Sequence, residues 1–249
     1  MGRFASTVEF YGRYREPYPP QFFEKVASRL LFSGNERLVD IGCGPGILAL
    51  GFAPYVGSCT GIDPEPGMIA AATQAALDAG VDLTLLQSSL EDLPGNIGTF
   101  QVATIGRALH WLDRDSSLPV LERLVPSGGF VLVCGAPVAD VPSNAWLKHY
   151  KAVRNAYSSQ NDEARYRIDF SAWFAPSRFH RIDRITASAT EKVTISDLVY
   201  RALSMSTTSP EALGERRGAF EAEMSAALAP FAEDGYITEQ IEAVATIFA

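Results

Sequence analysis

The sequence predicts an α/β protein built on one mostly parallel sheet of seven strands, with helices on both faces, an N-terminal lid and a helical cap inserted after strand five. Three observations carry that reading. Short apolar, β-branched runs alternate with helical stretches up to about residue 135, the pattern of a parallel sheet covered on both sides. The run Val39-Asp40-Ile41-Gly42-Cys43-Gly44-Pro45-Gly46 joins a strand to a glycine turn and then to an apolar helical stretch over 47–52. Gly61-Ile62-Asp63 then ends the next strand on a carboxylate. At 249 residues and 47% apolar content, the chain is long enough for one sizeable core.

The elements follow in order. Residues 1–20 are rich in aromatics and proline, and Pro17, Pro19 and Pro20 oppose a regular helix there. A helix is expected after Pro20, with Phe22, Phe23, Val26 and Leu30 on its apolar face, stopped by Ser33-Gly34-Asn35. Strands are expected near 37–41, 58–63, 82–87, 100–105 and 129–134. A break over 136–142 leads to a helical stretch over 143–157 and a polar, aromatic segment over 160–176. A strand near 181–190, a helix after a Ser196-Asp197 cap, a loop over 204–209 and a helix from Pro210 come next. The last strand, near 236–248, follows an Asp234-Gly235 turn. This divides the chain into a lid and helix (1–35), an α/β core (36–135), a cap (136–178) and the C-terminal part of the sheet (179–249).

Composition excludes several function classes. A net charge of -8 with no run of lysine or arginine opposes a nucleic-acid partner, whose phosphates demand clustered cations. Cys43, Cys59 and Cys134 are odd in number and sit in apolar settings, as reduced thiols of a cytoplasmic protein do. No stretch has the length and apolarity of a membrane span. His149 and His180 are far apart with no carboxylate at ligand spacing, and Asp113 and Asp115 start a helix, where acids suit the dipole, so no metal is expected.

The glycines at 42, 44 and 46 let backbone approach a ligand closely, and the amides opening the helical stretch face a polar group. Asp63 can accept both hydroxyls of a ribose, so this is a nucleoside-cofactor site at the carboxyl ends of adjacent parallel strands. The dinucleotide fingerprint Gly-x-Gly-x-x-Gly needs glycine at position 47, where this chain has Ile47.

With Val39-Asp40-Ile41 before it, this compressed glycine motif resembles the first motif of the class I S-adenosylmethionine-dependent methyltransferases, and Asp63 resembles the acid ending their second strand. Residues 87–94 look like the family's adenine loop, residues 100–111 like its fourth strand and the loop at the methyl-transfer centre, and residues 124–133 like its fifth strand. The resemblance covers roughly residues 37–135. It implies a Rossmann-like fold, S-adenosylmethionine as cofactor and S-adenosylhomocysteine as product. The cofactor residues it implies are Asp40, Gly42, Gly44, Gly46, Asp63, Met68, Ser89, Leu90 and Gly106. Many relatives have an aspartate where this chain has Ser89.

The N-terminal aromatics resemble the lid of small-molecule members. Tyr11 and Tyr14 would lie over the sulfonium, which an aromatic face attracts, and Arg15 would meet the methionine carboxylate. The alternative is that they pack the N-terminal segment. His110 is the candidate catalytic residue, either a general base or a histidine that only shapes the pocket. Arg107, Trp111 and His149 are the candidate substrate residues; a salt bridge is the plainer role for Arg107, and packing for Trp111. The Asn/Asp-Pro-Pro-Tyr/Phe motif of nucleic-acid amino methyltransferases is absent: residues 105–108 read Ile-Gly-Arg-Ala. The expected function is methyl transfer to oxygen, nitrogen or carbon of a small organic molecule, by a monomer or homodimer, with the acceptor between the strand-four loop, lid and cap. The alternatives are a non-catalytic S-adenosylmethionine-binding protein and, from another class, a nicotinamide-dependent oxidoreductase.

Overall fold

The computed structural model describes residues 8–158 and 168–249; expectations for residues 1–7 of the lid and 159–167 of the cap lie outside the described residues. Seven strands form one sheet: β1 (Arg37–Ile41), β2 (Ser58–Asp63), β3 (Leu83–Gln87), β4 (Val102–Gly106), β5 (Phe130–Gly135), β6 (Arg181–Thr194) and β7 (Tyr236–Phe248). Their spatial order is β3-β2-β1-β4-β5-β7-β6. The first five are parallel, and β7 runs antiparallel to β5, with Val131 opposite Phe248 and Gly135 opposite Val244. The order reverses at β1, which lies between β2 and β4, so the connections leaving β1 and β4 diverge. That divergence opens the crevice where α/β folds bind ligands.

Burial explains why the central strands read as unbroken apolar runs. Leu38, Val39 and Ile41 of β1 and Val102, Ala103 and Ile105 of β4 are all buried, as a strand covered on both faces requires. Fully burying a side chain of valine, leucine or isoleucine size contributes about 1.5–3 kcal/mol. Helix α2 (Pro20–Arg29) starts with Pro20 in its first turn, where the missing N–H costs nothing, and buries Phe22, Phe23, Val26 and Ala27. Phe23 meets Phe52 of α3 (Ile47–Phe52) edge to face at 4.9 Å. Helices α4 (Pro66–Ala79) and α5 (Arg114–Leu124) complete the crossovers. The α5 cap is Asp113, whose side chain accepts from the Ser116 N–H.

Contacts group the chain into two compact units. One comprises Tyr18–Gly135, Arg167–Ala187 and Ala243–Ala249; the other comprises Met1–Pro17, Ala136–Tyr166 and Ser188–Glu242. The 136–178 segment is therefore shared between the two. Within the second unit, α1 (Val8–Tyr14), α6 (Leu147–Tyr157), α8 (Ile195–Leu203) and α10 (Arg217–Leu228) enclose a separate apolar cluster around Trp146, Leu198, Phe220 and Met224. Short helices α7 (Phe170–Phe174) and α9 (Pro210–Leu213) complete the described set.

Several local expectations need correction. A helix, α1, does form within the first 20 residues; it ends at Tyr14, and the prolines only prevent its continuation. Leu30 is the C-cap of α2 rather than part of its buried face. The cap of α8 is Thr194, not Ser196: its hydroxyl accepts from the Asp197 N–H while the Asp197 carboxylate accepts from the Thr194 N–H, a reciprocal capping box. Residues 142–144 form a 3-10 turn, and α6 begins only at Leu147. Strand β6 runs four residues beyond its expected end, to Thr194.

Candidate cofactor and active site

The glycine turn after β1 is held open by backbone conformation and closed by hydrogen bonds. Gly42, Gly44 and Gly46 have φ of 63°, 54° and 83°, the left-handed region that glycine enters without steric cost. A Cβ at Gly42 would come within 2.7 Å of the Ala108 Cβ, so the turn and the β4 loop touch where only hydrogen fits. The Cys43 N–H donates to the Ile62 carbonyl at 3.0 Å and the Gly46 N–H to the Cys43 carbonyl at 2.9 Å.

Two buried carboxylates frame this turn. Asp63, 8% exposed, accepts from the Gly44 N–H through Oδ2 and from the Glu65 N–H through Oδ1, each at 2.9 Å. Burial pushes its pKa up; the two amide bonds work against that, and Glu65 adds to it. A carboxylate oxygen has two lone pairs, so each Asp63 oxygen keeps capacity for one more donor. That is the requirement for receiving two vicinal hydroxyls.

Asp40, 1% exposed, lies in β1 before the turn. Its Oδ1 accepts from the Thr104 hydroxyl at 2.7 Å and its Oδ2 from the Ala49 N–H at 3.3 Å. Burial, offset in part by those bonds, pushes its pKa up to about 7. Both oxygens are engaged by protein, so Asp40 pins α3 to β4 and shapes the turn from within.

The remaining candidates fall into two groups. In the first unit, Met68 is buried in the first turn of α4, and Leu90 is buried in the main core cluster. The Ser89 hydroxyl donates to Asp92 Oδ2 at 2.8 Å and accepts from the Asp92 N–H at 3.2 Å, closing its own loop. At the end of β4, a Cβ on Gly106 would lie 2.5 Å from Leu48 Cδ1 and 3.6 Å from the Tyr18 hydroxyl. Arg107 has φ of 56°, rare for a residue with a side chain, and its guanidinium lies 5.2 Å from the Tyr18 ring centroid. Its N–H donates to the Cys134 carbonyl at 3.1 Å. His110 and Trp111 share the 3-10 turn Leu109–Trp111, their rings 4.8 Å apart. The glycine turn, Asp63 and the β4 loop thus converge in one unit.

Tyr11, Tyr14, Arg15 and His149 belong to the other unit. Tyr14 packs on Tyr200 at 4.9 Å, Arg15 lies 4.7 Å from the Tyr11 ring centroid and donates to the Ser204 carbonyl at 3.2 Å, and His149 meets Phe231 at 5.0 Å. Sequence reasoning missed Tyr18, Thr104 and Glu65, which contact site residues from neighbouring strands or loops. It also missed Arg201, although a lone cation among Leu198, Val199, Ala202 and Leu203 was a visible anomaly.

Comparison with known proteins identifies the domain that holds this site. The profile of a methyltransferase domain matches residues 38–129, the stretch that contains the glycine turn, Asp63 and the β4 loop. Within this chain, residues 38–129 are those of a methyltransferase domain. The chain is 29% identical over 142 residues to the uncharacterized methyltransferase YcgJ of Bacillus subtilis, covering 55% of this chain and 56% of that one. It is 37% identical over 99 residues to a ubiquinone biosynthesis O-methyltransferase of Vibrio parahaemolyticus, covering 39% and 42%. The chain spans about half the length of the curated relatives it matches. A methyltransferase from Thiobacillus denitrificans, solved with S-adenosylhomocysteine, superposes with a TM-score of 0.58 at 17% identity, covering 99% of this chain and 98% of that one, which establishes the shared fold. Among the described residues of this chain, no cluster of histidine, cysteine, aspartate or glutamate is arranged to hold a metal, and no helix is long and apolar enough to cross a membrane. Its three thiols are buried and unbridged. Burial pushes their pKa values up, that of Cys59 to about 12, so they remain protonated.

Proposed function

We propose that this protein transfers the methyl group of S-adenosylmethionine to an oxygen, nitrogen or carbon atom of a small organic molecule, with S-adenosylhomocysteine as the other product. The observation that carries the reading is Asp63. It is a buried carboxylate at the end of β2 that is already oriented by the Gly44 and Glu65 amides and retains one acceptor site on each oxygen. The residues present fit such a cofactor: a turn that admits no Cβ at Gly42, and an acid that takes two hydroxyls. Gly42, Gly44 and Gly46 would line its approach, Asp63 would receive the ribose, and Asp40 would act through the turn it braces. When bound, the cofactor supplies an electrophilic methyl on a sulfonium.

The chain's own task is then to align a nucleophile and keep water away, effects that together can lower a barrier by up to roughly 7–11 kcal/mol. His110, in the loop after β4, is the proposed proton acceptor for a hydroxyl or acidic carbon. An amine acceptor needs only to bind neutral. Arg107 is proposed to meet a polar group of the acceptor, since the left-handed backbone at this position marks a residue held in place at a cost.

Calorimetry with S-adenosylmethionine tests the cofactor site. Asp63→Ala removes a charge-assisted acceptor worth about 1.5–3 kcal/mol, so affinity should fall at least tenfold. Unchanged affinity in a folded variant overturns the assignment. The acceptor is found by incubating labelled cofactor with metabolite pools and identifying the mass that gains a methyl.

A further inference from the structure

The unit containing α1, α6, α8 and α10 holds a group of buried donors that lack acceptors. Trp146 and Tyr150 are i and i+4 at the start of α6, with their rings edge to face at 5.9 Å. Asn144 fixes the entry to this helix. Its Nδ2 donates to the carbonyls of Ala139 and Gln240 at 2.7 and 2.8 Å, and its Oδ1 accepts from the Gln240 N–H at 3.0 Å. One turn beyond Tyr150, Arg154 directs Nη1 at the Met205 sulfur, 2.9 Å away, which is a weak acceptor. Arg15 donates from Nη2 to the carbonyl of Ser204. Just before it in sequence, Arg201 is paired with Glu239 through two bonds of 2.6 and 2.7 Å and donates from Nε to the Tyr14 carbonyl at 2.8 Å. Residues 201–205 therefore gather Arg15 and Arg154 into a polar island, set in the apolar cluster of Phe10, Leu147, Val153 and Leu198.

Trp146 is 2% exposed and Tyr150 4% exposed, and among the described residues neither the indole Nε1 nor the phenol oxygen has a hydrogen-bond partner; nor does Arg15 Nε. A buried donor left unmade costs about 1–3 kcal/mol, and native proteins keep few such groups without a reason. Burial pushes the Tyr150 pKa up to about 12, so the phenol keeps its proton and all three groups are donors. The charges acting on the Tyr150 hydroxyl are Arg201, Glu16, Arg154 and Arg15. Glu239 neutralises Arg201, which leaves, among the described groups acting on Tyr150, two guanidiniums and the carboxylate of Glu16. The complement of three donors and one surplus positive charge is a singly negative group that only accepts, namely a carboxylate.

We infer that Trp146, Tyr150 and Arg15, with Arg154 beside them, form a carboxylate-binding subsite for an organic acid with an apolar body. The cofactor's methionine carboxylate has the same chemistry, so the test separates the two sources.

The full chain, saturated with S-adenosylhomocysteine, is titrated calorimetrically with aliphatic acids from acetate to decanoate and aromatic acids from benzoate to indole-3-acetate. The matching primary amides serve as controls. At least one acid should bind, with its amide at least tenfold weaker. Tyr150→Phe and Trp146→Phe should each weaken that acid about five- to tenfold, leave the S-adenosylmethionine affinity within twofold, and leave thermal stability unchanged or raised, because each removes an unmade donor. The subsite is overturned if no acid binds, or if acids and amides bind alike. Weakened S-adenosylmethionine binding in both variants also overturns it and assigns these donors to the cofactor. Failure of wild-type protein to bind S-adenosylmethionine at all instead refutes the proposed function, while carboxylate binding is still read on the same protein.

Discussion

The two buried polar regions of this protein are built on opposite principles. Around the glycine turn, the acids are held by the protein itself: Asp40 by Thr104 and Ala49, Asp63 by Gly44 and Glu65. Around Trp146 and Tyr150, the donors are buried but unmatched. The first arrangement is preorganised, so binding a ligand there needs little rearrangement and changes few internal bonds. The second is incomplete, and a ligand would complete it. A turn satisfied from within suits a cofactor shared across a family, whereas an incomplete donor set suits a molecule particular to this chain.

The largest test of this contrast is the buried ion pair that frames the incomplete region. Arg201→Ala leaves Glu239, wholly buried, without its partner, and breaking such a pair costs about 3–5 kcal/mol. Burial alone would depress the Arg201 pKa, but Glu239 and Glu16 raise it, so the guanidinium keeps its charge. Chemical denaturation should show the full loss; a loss below about 1 kcal/mol would mean that the pair does not hold this unit together.

His110 comes next. With the acceptor returned by the metabolite screen, His110→Ala should lower turnover by roughly 10²–10⁴ if proton transfer limits the rate, and should remove the fall in rate at acid pH. His110→Gln keeps a hydrogen bond but cannot take a proton. Deep losses in both variants mark a base, retained activity in the glutamine variant alone marks positioning, and normal turnover in both removes His110 from the mechanism.

Gly42→Ala probes the preorganised turn directly. At φ of 63° and 2.7 Å from the Ala108 Cβ, the added methyl should cost about 1–3 kcal/mol of stability and lower S-adenosylmethionine affinity as the turn shifts. Wild-type stability and affinity would show that the turn is more yielding than its contacts suggest.

The smallest effect, read at acid pH, is expected for Asp40→Asn. The Asp40 pKa is raised to about 7, so its protonation favours the folded state: the contribution is complete below the unfolded value near 3.8 and is lost as pH rises through about 7. Asparagine stands in for the protonated acid, so the variant should match wild type to within about 1 kcal/mol near pH 4, lack the decline in stability between pH 4 and 8, and gain on wild type as pH rises. The same decline in both proteins would place the titration elsewhere.

Much of the cofactor side was legible in the sequence because its signals are local. Val39 to Ile41 is buried as an apolar run must be, the glycines at 42, 44 and 46 have positive φ, and Asp234-Gly235 turns with both φ positive, at 51° and 84°. The misread boundaries also have local causes. Thr194 and Ser196 are both caps by type, and only the reciprocal bond with Asp197 chooses between them. Four residues of β6 were lost because the strand is largely exposed, without a run of apolar residues to mark its end. The roles of Tyr11, Tyr14, Arg15 and His149 were not legible, since aromatic and basic residues near a terminus look the same whether they pack or bind.

By itself the sequence determined the parallel sheet, the glycine turn, the acid at the end of β2 and hence the class of cofactor, because these depend on residues within a few positions of one another and on backbone conformations that only particular residue types adopt. The tertiary structure alone decided that Asp40 serves the turn from beneath, that Arg201 finds Glu239 38 residues away, and that Trp146 and Tyr150 are buried without acceptors. Those facts depend on which distant groups meet and on what water is excluded from, and neither is written in any stretch of chain short enough to be read as a motif.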